Sequence, residues 1–232
     1  MDKRQKLEET EAVTKEEEKE EEKEEVKKDF GSLPTEYGCG VTTQSHAMLH
    51  AIRFATYRHR DQRRKCAEGG HYIQHPLRVA PLCTLVVNEY RHDTTIMLAA
   101  ILHDTIEDTD TTYEELVEEF GPRVADVVKE LTDDKSLPYE VRKQLQIDHA
   151  SEKSYEAKVV SMADKIANIE DLLMNDAIPV GWSAERVQTY CKWAQDVAKG
   201  LRGAYAGLDA YLEDLLKKEF RHPDGNMYPA IV

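Results

Sequence analysis

The stretch LHDTIEDTDTT, residues 102–112, sets His103, Asp104, Glu107 and Asp108 at the end of an apolar run. On a helix, residues four apart share a face, so His103 is expected above Glu107 and Asp104 above Asp108. Carboxylates this close raise one another's pKa and repel unless a cation sits among them. A divalent metal held by His103 and Asp104 removes the conflict and leaves Glu107 and Asp108 for proton work on a water. Two other positions fit as further ligands. His75 stands at the turn before a helix in HYIQHPLRVA, and Asp164 stands in KVVSMADKIANIEDLL. Asn168 follows Asp164 by one helical turn, so both can point into the same cavity. Two His and two Asp make a mixed N/O donor set, suited to Mn, Fe or Zn more than to Mg or Ca.

RHRDQRRK, residues 58–65, packs five basic residues into eight positions just before His75. Nuclear import or plain solvated surface would account for such a run. Beside a metal site in an acidic chain it suits an anionic substrate better, with Arg64 and Lys65 as the phosphate-binding candidates. Metal, basic clamp and carboxylates together imply hydrolysis of a phosphoric ester or anhydride. The remaining histidines (His46, His50, His59, His71, His92, His149 and His222) are expected on the surface or in packing.

The elements that must position these groups read as helices throughout. SHAMLHAIRFATYRHR predicts one over 45–60 with Met48, Ile52 and Ala55 on one face, and Pro76 opens another through Val87. Thr94 or Thr95 caps a continuous helix IMLAAILHDTIED. TTYEELVEEFG carries a capping box, Thr112 with Glu115, and closes on Gly121. Further helices are expected at 122–131, 138–149, 155–174, 183–200 and 203–220. No strand shows convincing alternation and no internal repeat is evident, so the fold class is an all-α helical bundle.

A chain of 232 residues with 41% apolar content suits one packed domain plus a tail. Residues 1–41 form a Glu/Lys-rich low-complexity tail and linker, expected to be disordered or a solvated helix. Its first 28 residues hold twelve acidic and eight basic side chains. The catalytic domain is placed at 42–222 and a C-terminal tail at 223–232. A net charge of −14 argues against nucleic-acid binding, which needs basic surface. No apolar run is long enough to span a bilayer, and the charged N-terminus is unlike a signal peptide. Cys39, Cys66, Cys83 and Cys191 are scattered, as reduced thiols would be, so a cytoplasmic or nuclear setting is expected.

YIQHP, LHDTIEDTDTT, TDDKSLP, MADKIANIEDL and GWSAERVQTYCKWAQDVAKGL together resemble the hydrolase domain of the RelA/SpoT alarmone enzymes, in its small single-domain metazoan form. The likeness runs from about Ser45 to Leu216, and HDT-x-EDT separates this family from other HD phosphohydrolases. It implies an all-α HD domain holding one Mn2+ per site, other divalent transition metals also being compatible. The implied reaction is removal of the 3′-pyrophosphate of ppGpp to give GDP and pyrophosphate. Residue by residue it implies His75, His103, Asp104 and Asp164 as metal ligands and Glu107 and Asp108 as the water-activating pair. It places Arg64, Lys65, Asn168, Arg186 and Tyr190 around the nucleotide. Tyr139 stands where relatives carry Lys, which touches one phosphate contact. Ile166-Ala167 replaces the more usual Leu-Tyr and bears on the base or ribose pocket. The acidic tail has no counterpart in the compact relatives, and ppGpp synthesis is not expected. Two other readings stay open: hydrolysis of the NADPH 2′-phosphate at the same site, and a non-catalytic nucleotide sensor or scaffold working through the tail. The complete ligand and carboxylate set argues against the sensor, which has no use for a water-activating pair.

Overall fold

The sequence folds around two helices that are buried along most of their length. In a computed structural model that describes residues 43–85 and 94–232, all within one compact unit, Thr42–Val232, these are α3, Thr94–Leu102, and α8, Tyr155–Leu173. Seven of the nine α3 residues are buried, as are thirteen of the nineteen in α8. Beyond its two opening threonines α3 is apolar all round and can only lie inside, whereas α8 buries Lys165 and Asp171 along with its apolar residues. Around them stand α1 (Thr43–Arg58), α2 (Pro76–Thr84), a short α4 (Thr105–Asp108), α5 (Tyr113–Phe120), α6 (Pro122–Leu131), α7 (Tyr139–Asp148), α9 (Ala184–Leu201) and α10 (Ala206–Leu216). The helix α3 packs against α1, α2, α6 and α8, while α8 also meets α9 and α10.

Local signals set most boundaries. Thr112 Oγ1 accepts the Glu115 N–H at 3.1 Å to start α5, and Gly121 at φ 83° ends it with Pro122 opening α6. Ser154 and Ser183 cap α8 and α9 in the same way, accepting from Ala157 and Arg186. Pro76 is the first residue of α2. The expected Met48–Ile52–Ala55 stripe of α1 faces the core, with Ala55 fully buried and Met48 and Ile52 partly buried against it. Ala51 and Phe54 are buried beside it, and Phe54 sets its ring edge-on to Phe120 at 5.3 Å. The expected tail 1–41 and the expected end of α2 at Val87 lie outside the described residues.

Two expectations are corrected. Residues 203–220 do not run as one helix: α10 stops at Leu216, and Glu219–Arg221 (β1) pairs antiparallel with Met227–Pro229 (β2). Residues 223–232 are therefore not a free tail, since Tyr228 pairs with Phe220 and Ala230 is fully buried. The cause is local turn chemistry at HPDGN. Gly225 adopts φ 90°, and Asp224 Oδ1 accepts the Asn226 N–H at 2.8 Å. The second correction is that IMLAAILHDTIED is broken at His103–Asp104.

Leu102, fully buried at the end of α3, holds that break against the core. Leu102→Ala is expected to cost about 2–5 kcal/mol, read as the loss in unfolding free energy by chemical denaturation. A cost near zero would mean that the α3 terminus is not anchored by packing.

Candidate metal centre and its pocket

The break in the central helix is made by residues of the HDTIED motif itself. His103 Nδ1 bonds the Ala100 carbonyl at 2.9 Å, and Thr105 Oγ1 donates to the Leu102 carbonyl at 2.7 Å. Side chains thus satisfy carbonyls that the next turn of helix would have used. Helical bonding resumes when Asp108 N–H donates to the Asp104 carbonyl at 2.8 Å. The expected Asp104–Asp108 turn is present, whereas His103 precedes it and is swung into the interior. The threonines of the motif finish the corner: Thr109 Oγ1 donates to the Thr105 carbonyl at 2.6 Å and lies 2.8 Å from Thr111 Oγ1.

Four donor atoms converge at this corner. His75 Nε2 lies 2.9 Å from Asp164 Oδ1, which is 3.8 Å from His103 Nε2. His103 Nε2 lies 3.0 Å from Asp104 Oδ2, which is 3.9 Å from His75 Nε2. Nitrogen and oxygen alternate around this quadrilateral. Ligands bound at about 2.1 Å lie roughly 3–4 Å from one another, as along these four edges, and His75, His103 and Asp164 have donor atoms that all lie within 4.8 Å of one another. His103 supplies a second sign. Its Nδ1 is committed to the Ala100 carbonyl, so Nε2 is the nitrogen that faces the Asp104 and Asp164 carboxylates and is left to meet a cation once its proton is displaced. The donor set therefore suits a divalent metal.

The electrostatics agree. Burial would lower the His103 pKa, but the Asp104 and Asp164 carboxylates outweigh it and hold it up to about 9. Burial lowers His75. Burial would raise the two aspartates, yet the imidazoles beside Asp104 keep it low, as Lys165 and the imidazoles do for Asp164. Outer partners hold both aspartates. Tyr72 Oη donates to Asp104 Oδ2 at 2.5 Å, Lys165 Nζ to Asp164 Oδ2 at 2.7 Å, and Asn168 Nδ2 to Asp164 Oδ1 at 2.7 Å.

Glu107 and Asp108 line the same cavity but are held differently. Glu107 Oε2 accepts the Asp133 N–H at 3.0 Å, and Arg142 stands 4.0 Å from its other oxygen. Burial, with the Asp133, Asp104 and Asp108 charges, raises its pKa. Asp108 accepts from Gln62 Nε2 at 3.0 Å and pairs with Lys135.

The substrate candidates divide among three adjoining cavities that share Tyr190. Asn168 lines the metal cavity. Arg64 and Lys65 line a second, with Tyr72, Asn168 and Trp182. Arg186 lies in a third, its Cζ 4.5 Å from the Trp182 ring centroid, and does not line the metal cavity. Ile166 and Ala167, expected at the base or ribose pocket, are instead fully buried in the core and line none of these cavities. Their side of α8 faces other helices, so the Leu-Tyr difference bears on packing.

Some residues that build the site went unnamed in the sequence reading. Asp171, 3% exposed, accepts from Arg64 at 2.6 Å and pairs with Arg78, which aims the Arg64 guanidinium over the Tyr72 ring at 5.8 Å. Its signal was available: Asp164, Asn168 and Asp171 fall at helical spacings of four and three. Tyr72 had a weaker one, an aromatic hydroxyl one turn before His75. Gln62 had none, since it reaches Asp108 across 46 residues.

The HD-domain family profile matches residues 51–195. The chain is 48% identical to the guanosine-3′,5′-bis(diphosphate) 3′-pyrophosphohydrolase MESH1 of Danio rerio, across 72% of this chain and 91% of that one. It is 45% identical to the Homo sapiens MESH1 across 76% and 96%. A solved structure of a metazoan SpoT orthologue, described as hydrolysing ppGpp and playing a role in starvation responses, superposes with TM-score 0.70 at 37% identity. It covers 76% of this chain and 97% of that one. A quadrilateral of two imidazoles and two carboxylates at a helix break, on an all-α scaffold with this extent of identity, places the chain in the HD-domain family, among the RelA/SpoT-type hydrolases.

Proposed function

We propose that this enzyme removes the 3′-pyrophosphate of ppGpp, giving GDP and pyrophosphate, with one Mn2+ held by His75, His103, Asp104 and Asp164. The observation that carries the reading is the four-donor quadrilateral facing a raised-pKa carboxylate, Glu107, in one cavity. The bound metal supplies Lewis acidity to a water and a phosphoryl oxygen. Glu107 and Asp108 take the proton and orient the water. Gln62 and Lys135 hold Asp108 for this, and the Asp133 amide anchors Glu107. Arg64 and Lys65 grip the nucleotide from the second cavity, with Asn168 and Tyr190 at the junction and Arg186 over the phosphates. A cytoplasmic setting fits Cys66, Cys83 and Cys191, all free thiols, with burial pushing Cys83 and Cys191 up to about 12.

The test is side-by-side turnover of ppGpp and NADPH by the Mn2+-loaded chain, with metal analysis of the same sample. Release of pyrophosphate from ppGpp at the higher kcat/KM is expected. Faster release of phosphate from NADPH would replace ppGpp by the 2′-phosphate reading.

Metal binding should be linked to protons. Without metal, His103 keeps its proton up to about pH 9, and a cation must displace it. Mn2+ affinity is therefore expected to rise about ten-fold per pH unit from pH 7 toward 9 and then level off. Chelator competition at pH 7, 8 and 9 checks this, and a flat profile would remove His103 from the ligand set.

A further inference from the structure

Four cationic side chains line the metal cavity, and three of them are already engaged. Arg142 stands 3.6 Å from Asp133 and 4.0 Å from Glu107, Lys165 pairs with Asp164 at 2.7 Å, and Lys153 donates to the Glu130 carbonyl. Lys143 is different. Its ammonium has no carboxylate or carbonyl partner among the described residues, only ring faces: Trp193 at 4.0 Å and Tyr139 at 5.5 Å. A half-buried ammonium costs desolvation that rings return only in part. Burial, with Lys165 nearby, lowers its pKa to about 8. It is thus a cation kept in a cavity with its hydrogen-bonding capacity unspent, in a chain of net charge −14.

Its position says what would use that capacity. Lys143, Tyr190 and Trp193 line both the metal cavity and the cavity that holds Tyr139 and Arg186. The ammonium therefore stands on the wall between the metal centre and a second cationic recess. A ligand anchored at the metal by one phosphate group and carrying another elsewhere would set the second against Lys143. Arg142 and Lys165, tied to carboxylates, are less available for this. Glu140, on the rim of the recess, disfavours an anion beyond Lys143 and Arg186.

We propose that Lys143 binds the phosphate group of the substrate that is not cleaved, and so selects nucleotides phosphorylated at two separate positions. This rests on the function proposed above. An ammonium acting on the remote phosphate contributes to binding in ground and transition states alike, so its loss appears in KM.

The experiment measures KM and kcat of the unaltered chain, Lys143→Gln and Lys143→Arg, each Mn2+-loaded. Two substrates are used: ppGpp, and guanosine 3′-diphosphate with a free 5′-hydroxyl. Lys143→Gln is expected to raise KM for ppGpp about ten-fold and leave kcat within about two-fold, as for a lost charge-assisted hydrogen bond. Lys143→Arg should restore most of the loss, and the 5′-hydroxyl substrate should show the same KM with all three proteins. A purely structural role for Lys143 would penalise both substrates equally. Equal penalties, no penalty on either, or a fall confined to kcat would overturn the inference. No turnover of ppGpp by the unaltered chain would instead overturn the proposed function, and this inference with it.

Discussion

Asp104→Ala is expected to lose the metal and to reduce hydrolysis on the order of 10³-fold, because a first ligand outweighs the 10–100-fold typical of an outer-shell partner. Asp104 Oδ2 closes two edges of the donor quadrilateral, 3.0 Å from His103 and 3.9 Å from His75, and takes the Tyr72 hydroxyl as well. Removing it leaves three donors and strips His103 of the first of the two carboxylates that hold its pKa up. The backbone at this corner does not depend on the Asp104 side chain, since its carbonyl accepts from Asp108 and the Thr105 hydroxyl caps Leu102. Far-UV circular dichroism should therefore match the unaltered chain. Atomic spectroscopy after dialysis, alongside turnover, makes the measurement. Full metal-dependent turnover by a folded variant would show that the quadrilateral is not the metal site.

Glu107→Gln separates chemistry from metal binding. Gln keeps the shape and can still accept the Asp133 N–H, but it cannot take a proton from water. Metal content is expected to stay, while kcat falls by about 10²–10⁴, the usual contribution of a general base. The sign of the stability change follows from the pKa. Burial and the neighbouring carboxylates raise Glu107 above its unfolded value, so the folded state binds that proton more tightly. Ionisation as pH rises through the raised pKa then erodes stability, and the neutral amide removes this penalty. The variant should melt no lower than the unaltered chain above pH 7, which a thermal scan reads directly. The residue would then be one whose chemistry is kept at the expense of stability. Unaltered turnover would take Glu107 out of the mechanism and leave Asp108 as the base.

The candidate metal-binding residues and most helix limits were legible in the chain because both rest on local rules. Caps at Thr112, Ser154 and Ser183, the Pro residues at 76 and 122, and Gly121 specify ends within a few residues of themselves. HDTIED declares its chemistry because four ionisable groups within six positions are hard to account for by packing. The break at His103 was hidden in an apolar run that reads as continuous helix, and only the carbonyl contacts of His103 and Thr105 reveal it. The C-terminal hairpin was readable in HPDGN, whose Asp-Gly turn signal competes with the helical pattern before it.

What the sequence determined by itself was the set of donors and the helices they ride on, since residue type and 3.6-residue periodicity are properties of short segments. Which donors meet was decided by tertiary packing. His75 reaches Asp164 across 89 residues and Arg64 reaches Asp171 across 107, contacts that exist only because α2 and α8 pack together beside α3. The same packing turned Ile166 and Ala167 into core and left Lys143, one turn beyond Tyr139, against Trp193 with its charge unpaired. Helical spacing assigns a residue to a face of its own helix. What that face meets depends on the neighbouring helices, and those are set by apolar burial summed over the whole domain.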